Sequence, residues 1–394
     1  MQTVVLAAGQ GTRLRPLTDE RPKPIVPVVD RPLIVHAMRA AAEAGASRFV
    51  VVVGYGAEQV RETVGASIAG VPVEFVDQGE PRGTAHAVGA ARSALEEAPF
   101  VVLNGDSIYD PAGLETLYGE SAAVASYRVD HPERYGVLSI EGGRITGVLE
   151  KPDEPPSDLI NAGAYVFPAA SLEFLDVPES DRGEHELTDV LERTIETVDV
   201  RPVPLETWLD VGYPWDLLAA MDWRLHSMDH RIEGTVHPDA NLDADVTVAD
   251  GARIESGVVL EGPAYVGPGA SVGPNAYLRG PVSLGPGASV GHAVEVKASV
   301  FLEDAAANHL SYVGDSVLGR DVNLGAGTQV ANLRHDGEPV RVTVKGERVS
   351  TGRRKFGVVC GRGAKTGINT SLNAGVVLSP GASTTPGESV LRDR

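Results

Sequence analysis

The chain has 394 residues, of which 42% are hydrophobic, and a formal net charge of −20. That length supports two buried cores, and so acidic a balance argues against nucleic acid or an anionic membrane as partner. The longest apolar run, around residues 49–53, is far too short to span a bilayer.

In chain order, residues 3–7 are an apolar run read as a strand, and the loop 9–13 follows. No charged leader or cleavage site precedes that strand, so the expectation is a cytoplasmic protein without an export signal. Residues 32–44 have helical spacing and end at Gly45. A buried strand (49–53), a helix (57–64), a strand (73–76), a helix (85–95) and a strand (100–103) come next. The last runs into Asn104-Gly105-Asp106. This alternation predicts a doubly wound, Rossmann-like α/β domain. Ligands of such sheets sit at the carboxyl ends of the strands, where the Gly9 loop and Asp106 both fall. Residues 214–228 read as a closing helix, and the first domain is expected over residues 1–228.

The second domain, expected over residues 232–394, announces itself by period. Val236, Leu242, Val248, Ile254, Leu260, Val266, Val272, Leu278, Leu284, Val290, Val296 and Leu302 fall at six-residue steps. If aliphatics fill about a quarter of positions, the chance probability is on the order of 10⁻⁷. A six-residue step fits a coil of short strands turned at small-residue corners, such as Gly267-Pro268-Gly269-Ala270. The expected fold is therefore a left-handed parallel β-helix of hexapeptide repeats. The step breaks after Leu302, returns at Leu318, Leu324 and Val330, and returns again at Cys360, Thr366, Leu372, Leu378, Thr384 and Val390. Such breaks set irregular, polar chain beside a rigid scaffold, where sites are commonly found. Cys360 is the only cysteine, which excludes an intrachain disulfide and suggests a small core residue. Six lysines remain in the whole chain, Lys23, Lys151, Lys297, Lys345, Lys355 and Lys365, so each is a better functional candidate than usual.

Around Gly9-Gln10-Gly11-Thr12-Arg13, glycines allow backbone N–H groups to close on phosphate, and the arginine adds a bidentate fork. The run lacks the third glycine of the dinucleotide fingerprint, and alone it equally suits an ordinary tight turn. Arg13, Arg15 and Lys23 continue into a cationic, proline-stiffened loop. With these residues the sequence resembles the sugar-1-phosphate nucleotidylyltransferases, through several separate motifs in order. The resemblance implies that Gly9, Gly11, Thr12 and Arg13 hold the triphosphate of UTP or dTTP and that Lys23 neutralises the α-phosphate region. Gln78, Gly83 and Thr84 would contact the base. Asp106 and Asp210 would hold Mg²⁺. Gly136, Glu150, Lys151 and Asn161 would line the sugar 1-phosphate. Standing alone, Asp106 reads as a cap after a strand and Asp210 as a turn residue.

In the repeat, Asn308-His309-Leu310-Ser311-Tyr312, Asn323-Leu324-Gly325-Ala326-Gly327 and Ala331-Asn332-Leu333 resemble the acetyltransferase half of the bifunctional enzymes that make UDP-N-acetylglucosamine. The insert and the motif Thr351-Gly352-Arg353-Arg354-Lys355-Phe356-Gly357 resemble the archaeal form. Arg279 and Lys297 lie three hexapeptides apart, hence one coil apart on one face, which offers two cations to one phosphate. The resemblance implies His309 as general base toward an amino sugar. Tyr312 and Asn323 would hold the sugar, and Asn332 would orient the histidine or the thioester of acetyl-CoA, in a homotrimer. Two other readings stand beside this one. The first is a single-function thymidylyl- or uridylyltransferase for glucose 1-phosphate with the repeat as scaffold. The second is a catalytically silent assembly subunit.

Overall fold

In the computed structural model, residues 1–180 and 183–394 are described. Contacts divide the chain into two compact units. One is Met1–Gln10, Arg21–Val26 and Pro32–Asp210; the other is Gly11–Glu20, Pro27–Arg31 and Val211–Arg394.

The first unit is built on a mixed sheet. Gln2–Ala7 lies between Arg48–Val53 and Phe100–Asn104, parallel to both, and Val71–Asp77 continues the parallel part. Of these, Gln2–Ala7, Arg48–Val53 and Phe100–Asn104 are buried almost throughout, which the run Phe49-Val50-Val51-Val52-Val53 anticipates for an inner parallel strand, whereas Val71–Asp77 is half-buried to exposed. Leu33–Glu43 packs Ile34, Ala37 and Met38 into one core. Thr84–Ala90 and Leu187–Ile195 pack Ala85, Val88, Val190 and Leu191 into another. Sequence reading extended the helix at 85 to residue 95, whereas it ends at Ala90 and gives way to a 3₁₀ turn, Arg92–Ala94. Leu159–Phe167 runs antiparallel to Phe100–Asn104, and Gly136–Glu141 and Arg144–Glu150 extend that edge. The pair Ser107–Tyr109 and Trp208–Asp210 sets Asp210 opposite Ser107, the residue after Asp106.

The second unit is a parallel β-helix of three ladders, the arrangement expected from the period. Register partners recur coil by coil: Ile254 with Val272, Leu260 with Leu278, and Val266 with Leu284. Ala252, Ala270 and Ala288 fill the corners and are buried. Eleven of the twelve aliphatics keep the stacking register, but Leu302 does not. Leu284 pairs with Phe301, and Phe301 with Leu318. One corner is a residue shorter, with Ala298 in left-handed conformation (φ 45°), and the same shortening recurs at Asp315 (φ 51°). The first break in the sequence period is therefore a register shift inside an unbroken coil, because parallel pairing aligns strands and not sequence steps. The true excursion follows Val330 and carries an antiparallel hairpin, Arg341–Val344 with Glu347–Ser350.

Cys360 is a buried core residue, and burial pushes its thiol up to about 12. Thr366 and Thr384 occupy stacking positions as paired hydroxyls: Thr366 bonds Thr328 at 2.7 Å and Thr384 bonds Thr370 at 2.8 Å. The helix Asp216–Ser227 packs with this unit. Arg224 is bidentate to Asp30, at 2.7 and 2.8 Å. Trp215 meets Phe356 edge-on, with ring centroids 6.3 Å apart. Among the described residues no helix is long and apolar enough to cross a membrane.

Candidate active sites

In the first unit, Asp106 leaves the carboxyl end of Phe100–Asn104. A tight turn holds it there: Gly105 N–H donates to Leu6 O at 3.0 Å, and a side chain at Gly105 would come within 2.7 Å of that oxygen. Lys23 opens a 3₁₀ turn between Pro22 and Pro24 and is 5% exposed. Its Nζ lies 2.7 Å from Asp106 and 3.6 Å from Asp210. Two carboxylates from separate strands thus face one point beside a buried ammonium. Hard oxygen donors that converge in this way fit Mg²⁺, which takes few protein ligands and keeps water and phosphate oxygens. Tyr109, beneath them, has its phenol raised well above its usual value by burial, and the charge of Asp106 adds to the effect.

Gln78 is buried; it donates to Gly83 O at 3.0 Å and lies 3.2 Å from His86 Nδ1. Gly83 has φ 110°, and a side chain there would strike the backbone of His185. The segment at His185 therefore demands a glycine at this position. Ala85 N–H donates to His185 O and His185 N–H to Arg82 O. Thr84 Oγ1 accepts from Leu187 N–H at 2.9 Å and so caps the helix there. At Gly9, by contrast, the space a side chain would take is open.

On the antiparallel edge, Gly136 is the register partner of Glu150, whose carboxylate would lie 3.0 Å from a side chain at Gly136. Glu150 pairs with Lys151 at 3.2 Å, and Lys151 is left-handed (φ 47°). Asn161 donates to Tyr165 OH at 2.6 Å and accepts from Gly163 N–H at 3.0 Å. Asn104, which sequence reasoning did not single out, fills the space above Gly163 that a side chain would need.

In the second unit, Gly11 is left-handed (φ 63°) and starts the turn Thr12–Leu14. The Arg13 guanidinium lies 5.1 Å from the Tyr213 ring centroid, and Tyr213 stacks on Trp215 at 4.5 Å. On the coil, Arg279 and Lys297 are register partners, as their spacing requires. Both are already neutralised. Arg279 pairs with Glu295 at 2.8 Å and Lys297 with Asp315 at 2.7 Å. Asn332 donates to Asp315 at 2.6 Å and to Tyr312 OH at 3.2 Å. Burial raises the Tyr312 phenol, and the charge of Asp315 raises it further. A side chain at Gly314 would strike Tyr312 OH and Asn332 Nδ2, so a glycine there admits the cluster. Glu295 and Asp315 carry much of this geometry without having been chosen from sequence. Asp315 lies one residue beyond Gly314, the register partner of Lys297, at the shortened corner, so the six-residue step does not mark it as a stacking partner.

His309 ends the strand Ala306–His309, exposed, as the register partner of His292. The next residue, Leu310, begins a cleft of about 520 Å³ that it lines with Ala326, Gly327, Gln329, Ile368, Asn369 and Ser371. Asn323 is exposed on the ladder that carries His309, whereas Tyr312 lies on the neighbouring ladder. The structure thus brings Arg279, Lys297, Tyr312 and Asn332 together and leaves Asn323 off that face.

Comparison with known proteins agrees with this geometry. A nucleotidyl transferase family model matches residues 2–226, and a GMPPB C-terminal domain model matches residues 260–378. A Methanococcus maripaludis protein named bifunctional protein GlmU is 41% identical over 382 residues, 95% of this chain and 91% of the relative. A Sulfurisphaera tokodaii protein named bifunctional sugar-1-phosphate nucleotidylyltransferase/acetyltransferase is 36% identical, over 100% of this chain and 98% of its own. The solved structure of a UDP-glucose pyrophosphorylase complexed with UDP-glucose superposes with a TM-score of 0.51 at 24% identity. It covers 58% of this chain and 99% of its own, a likeness of fold. With converging carboxylates on the α/β sheet, a polar cluster on the β-helix and relatives matched along the full length, the chain belongs to the bifunctional sugar-1-phosphate nucleotidylyltransferase/acetyltransferase family.

Proposed function

We propose that the β-helix N-acetylates glucosamine 1-phosphate, and galactosamine 1-phosphate as a further substrate, from acetyl-CoA. The α/β domain then transfers UMP or dTMP from UTP or dTTP to the sugar phosphate and releases pyrophosphate. The observation that carries the first unit's role is Lys23 set between Asp106 and Asp210. The attacking oxygen of a sugar 1-phosphate is already anionic, so nucleotidylyl transfer needs no general base. The difficulty lies in joining two polyanions, and buried cationic charge lowers that barrier. Asp106 and Asp210 would hold Mg²⁺, which would supply further neutralisation of phosphate charge. Lys23 orders both carboxylates, and the turn at Gly105 holds Asp106 at the sheet edge.

On the β-helix, the amine nitrogen of the sugar attacks the thioester carbonyl. An N–C bond forms, the C–S bond breaks, and the amine proton passes to His309 and on to the departing thiolate. The cleft beginning at Leu310 suits the pantetheine arm of the donor. Leu310 and Ile368 are 61% and 54% exposed at that corner, which supports a homotrimer whose copies cover them. A cytoplasmic location agrees with these substrates.

The test is thiol release from acetyl-CoA with glucosamine 1-phosphate, in the intact protein and in His309→Ala. Sugar-dependent release that falls at least about 100-fold in the variant is expected. No release with either amino sugar phosphate would reduce the repeat to a scaffold and leave a single-function nucleotidylyltransferase.

A further inference from the structure

Arg13 is an exposed arginine on a loop, Gly11–Glu20, that groups with the β-helix and not with the α/β sheet. The backbone of that loop is fixed. Leu14 N–H and Thr18 Oγ1 both donate to Gly11 O, each at 2.9 Å, and Leu17 N–H donates to Leu14 O at 3.1 Å. Leu14, Pro16, Leu17 and Thr18 are buried. A side chain at Gly361 would come within 3.0 Å of Pro16, so the coil that carries Cys360 lies directly against the loop. Arg362 of that coil pairs with Glu20 and, at 3.3 Å, with Asp321. These ions are half exposed, and such pairs contribute little, so the buried residues are what hold the loop.

A fixed backbone does not fix a long side chain. An exposed arginine has many rotamers, and the cost of ordering it opposes any contact it makes with a ligand. Here the guanidinium lies over Tyr213, 5.1 Å from the ring centroid, where the negative face of the ring attracts it. Stacking engages the face of a guanidinium, whereas phosphate recognition uses the N–H donors in its plane, so the two contacts are compatible.

The ring is itself held on two sides. Tyr213 N–H donates to Asp216 Oδ2 at 2.7 Å and Asp216 N–H donates to Tyr213 O at 3.0 Å, which ties the residue to the start of the helix Asp216–Ser227. Trp215, 5% exposed, stacks on Tyr213 with 6° between the ring planes, and the fully buried Phe356 meets Trp215 edge-on. Phe356 arrives with the excursion that follows Val330. Its N–H donates to Asn332 O at 3.0 Å, and Gly357 N–H donates to Asp315 O at 2.8 Å. A side chain at Gly357 would strike Gly314 O and Ser316 Oγ, so only glycine lets the segment lie this close. The excursion thereby supplies the last member of a row: Arg13, Tyr213, Trp215, Phe356. Core packing alone does not call for a half-buried tyrosine beneath an exposed arginine.

Resting on the reading that Arg13 holds the phosphates of the nucleotide, we propose that Tyr213 is a positioning residue for nucleotidylyl transfer. Its ring, buttressed by Trp215 and Phe356, holds the Arg13 guanidinium ready for the triphosphate. The unit that carries the β-helix thereby serves nucleotide binding, and the excursion has a use apart from the acetyl-transfer cluster.

The experiment uses the full chain with Mg²⁺ and the variants Tyr213→Leu, Tyr213→Phe, Arg13→Gln and the double variant of Arg13→Gln with Tyr213→Leu. Binding of UTP and of dTTP is measured by calorimetry, with KM and kcat for pyrophosphate release and the rate of thiol release beside it. Tyr213→Leu is expected to weaken nucleotide binding about 5- to 10-fold and to raise the nucleotide KM in step. KM for the sugar 1-phosphate and thiol release stay unchanged. Tyr213→Phe keeps the ring and should remain within about twofold of wild type. In the Arg13→Gln background Tyr213→Leu should weaken binding no further, because the ring acts through the arginine.

Wild-type binding by Tyr213→Leu would overturn the proposal, and so would an undiminished effect of Tyr213→Leu in the Arg13→Gln background. Should Tyr213→Leu not fold, replacement of Tyr213 by pentafluorophenylalanine keeps the shape of the ring and removes its negative face. Binding by that protein as tight as by Tyr213→Phe would equally overturn the proposal. The reading beneath it fails separately. Arg13→Gln that binds nucleotide as wild type does would remove the role of Arg13 and the proposal with it. Weak binding by Arg13→Gln beside normal binding by Tyr213→Leu would remove the positioning role alone.

Discussion

Lys23 shows how one buried cation organises two acids. It is held by proline-flanked backbone and lies within ion-pair distance of both Asp106 and Asp210. Its removal would leave two carboxylates facing each other with one positive charge fewer to meet the phosphates. Lys23→Ala is expected to slow pyrophosphate release by about 100- to 1,000-fold while thiol release from acetyl-CoA stays at the wild-type rate. A variant that slows both equally would point to general misfolding instead. Sequence reading found this lysine from scarcity and from resemblance. It did not find Glu295 or Asp315, because an acid in an acidic chain carries no signal until its neighbours in space are known. Gly83 gives the complementary lesson: the glycine was picked out, but the backbone that a side chain there would strike lies more than a hundred positions away at His185.

At the scale of the element, the coil depends on one stacked side chain per face per turn. Phe301 takes that place where the sequence period pointed to Leu302, and it is fully buried between Leu284 and Leu318. Phe301→Ala is expected to destabilise the β-helix by about 3–5 kcal/mol through the cavity it leaves, read as a lower midpoint in urea unfolding. A shift below about 1 kcal/mol would mean that Phe301 is not the stacking residue. The inner parallel strands of the α/β sheet were legible because both faces are buried and the runs are apolar and rich in valine. The end of the helix Thr84–Ala90 was not, since Ala91 and the residues beyond it have no local stop signal that distinguishes an α turn from a 3₁₀ turn.

At the scale of the molecule, a net charge of −20 on a chain with six lysines makes self-repulsion a standing cost. Raising ionic strength from 0.1 to 1 M shortens the screening length from about 10 to about 3 Å. The thermal midpoint is therefore expected to rise across that range in a chloride salt that is not strongly excluded from the surface. A midpoint that falls would mean that surface ion pairs, such as Arg48–Glu74, outweigh the repulsion. The division into compact units adds a fact that no linear reading offers: Gly11–Glu20 and Pro27–Arg31 group with the β-helix, and the chain between them groups with the α/β sheet.

What the sequence determined by itself is whatever repeats or alternates. The six-residue period implied a β-helix, strand–helix alternation implied a doubly wound sheet, and one-coil spacing put Arg279 over Lys297. These follow from the chain's own geometry, which local periodicity records. Only the tertiary structure decided that both cations are already paired, that Phe301 and not Leu302 faces the core, and that the chain returns from its excursion along Asn332 and Asp315. Each of these depends on which side chains and segments meet across coils. That meeting is set by a corner one residue shorter and by burial, and neither leaves a periodic trace along the chain.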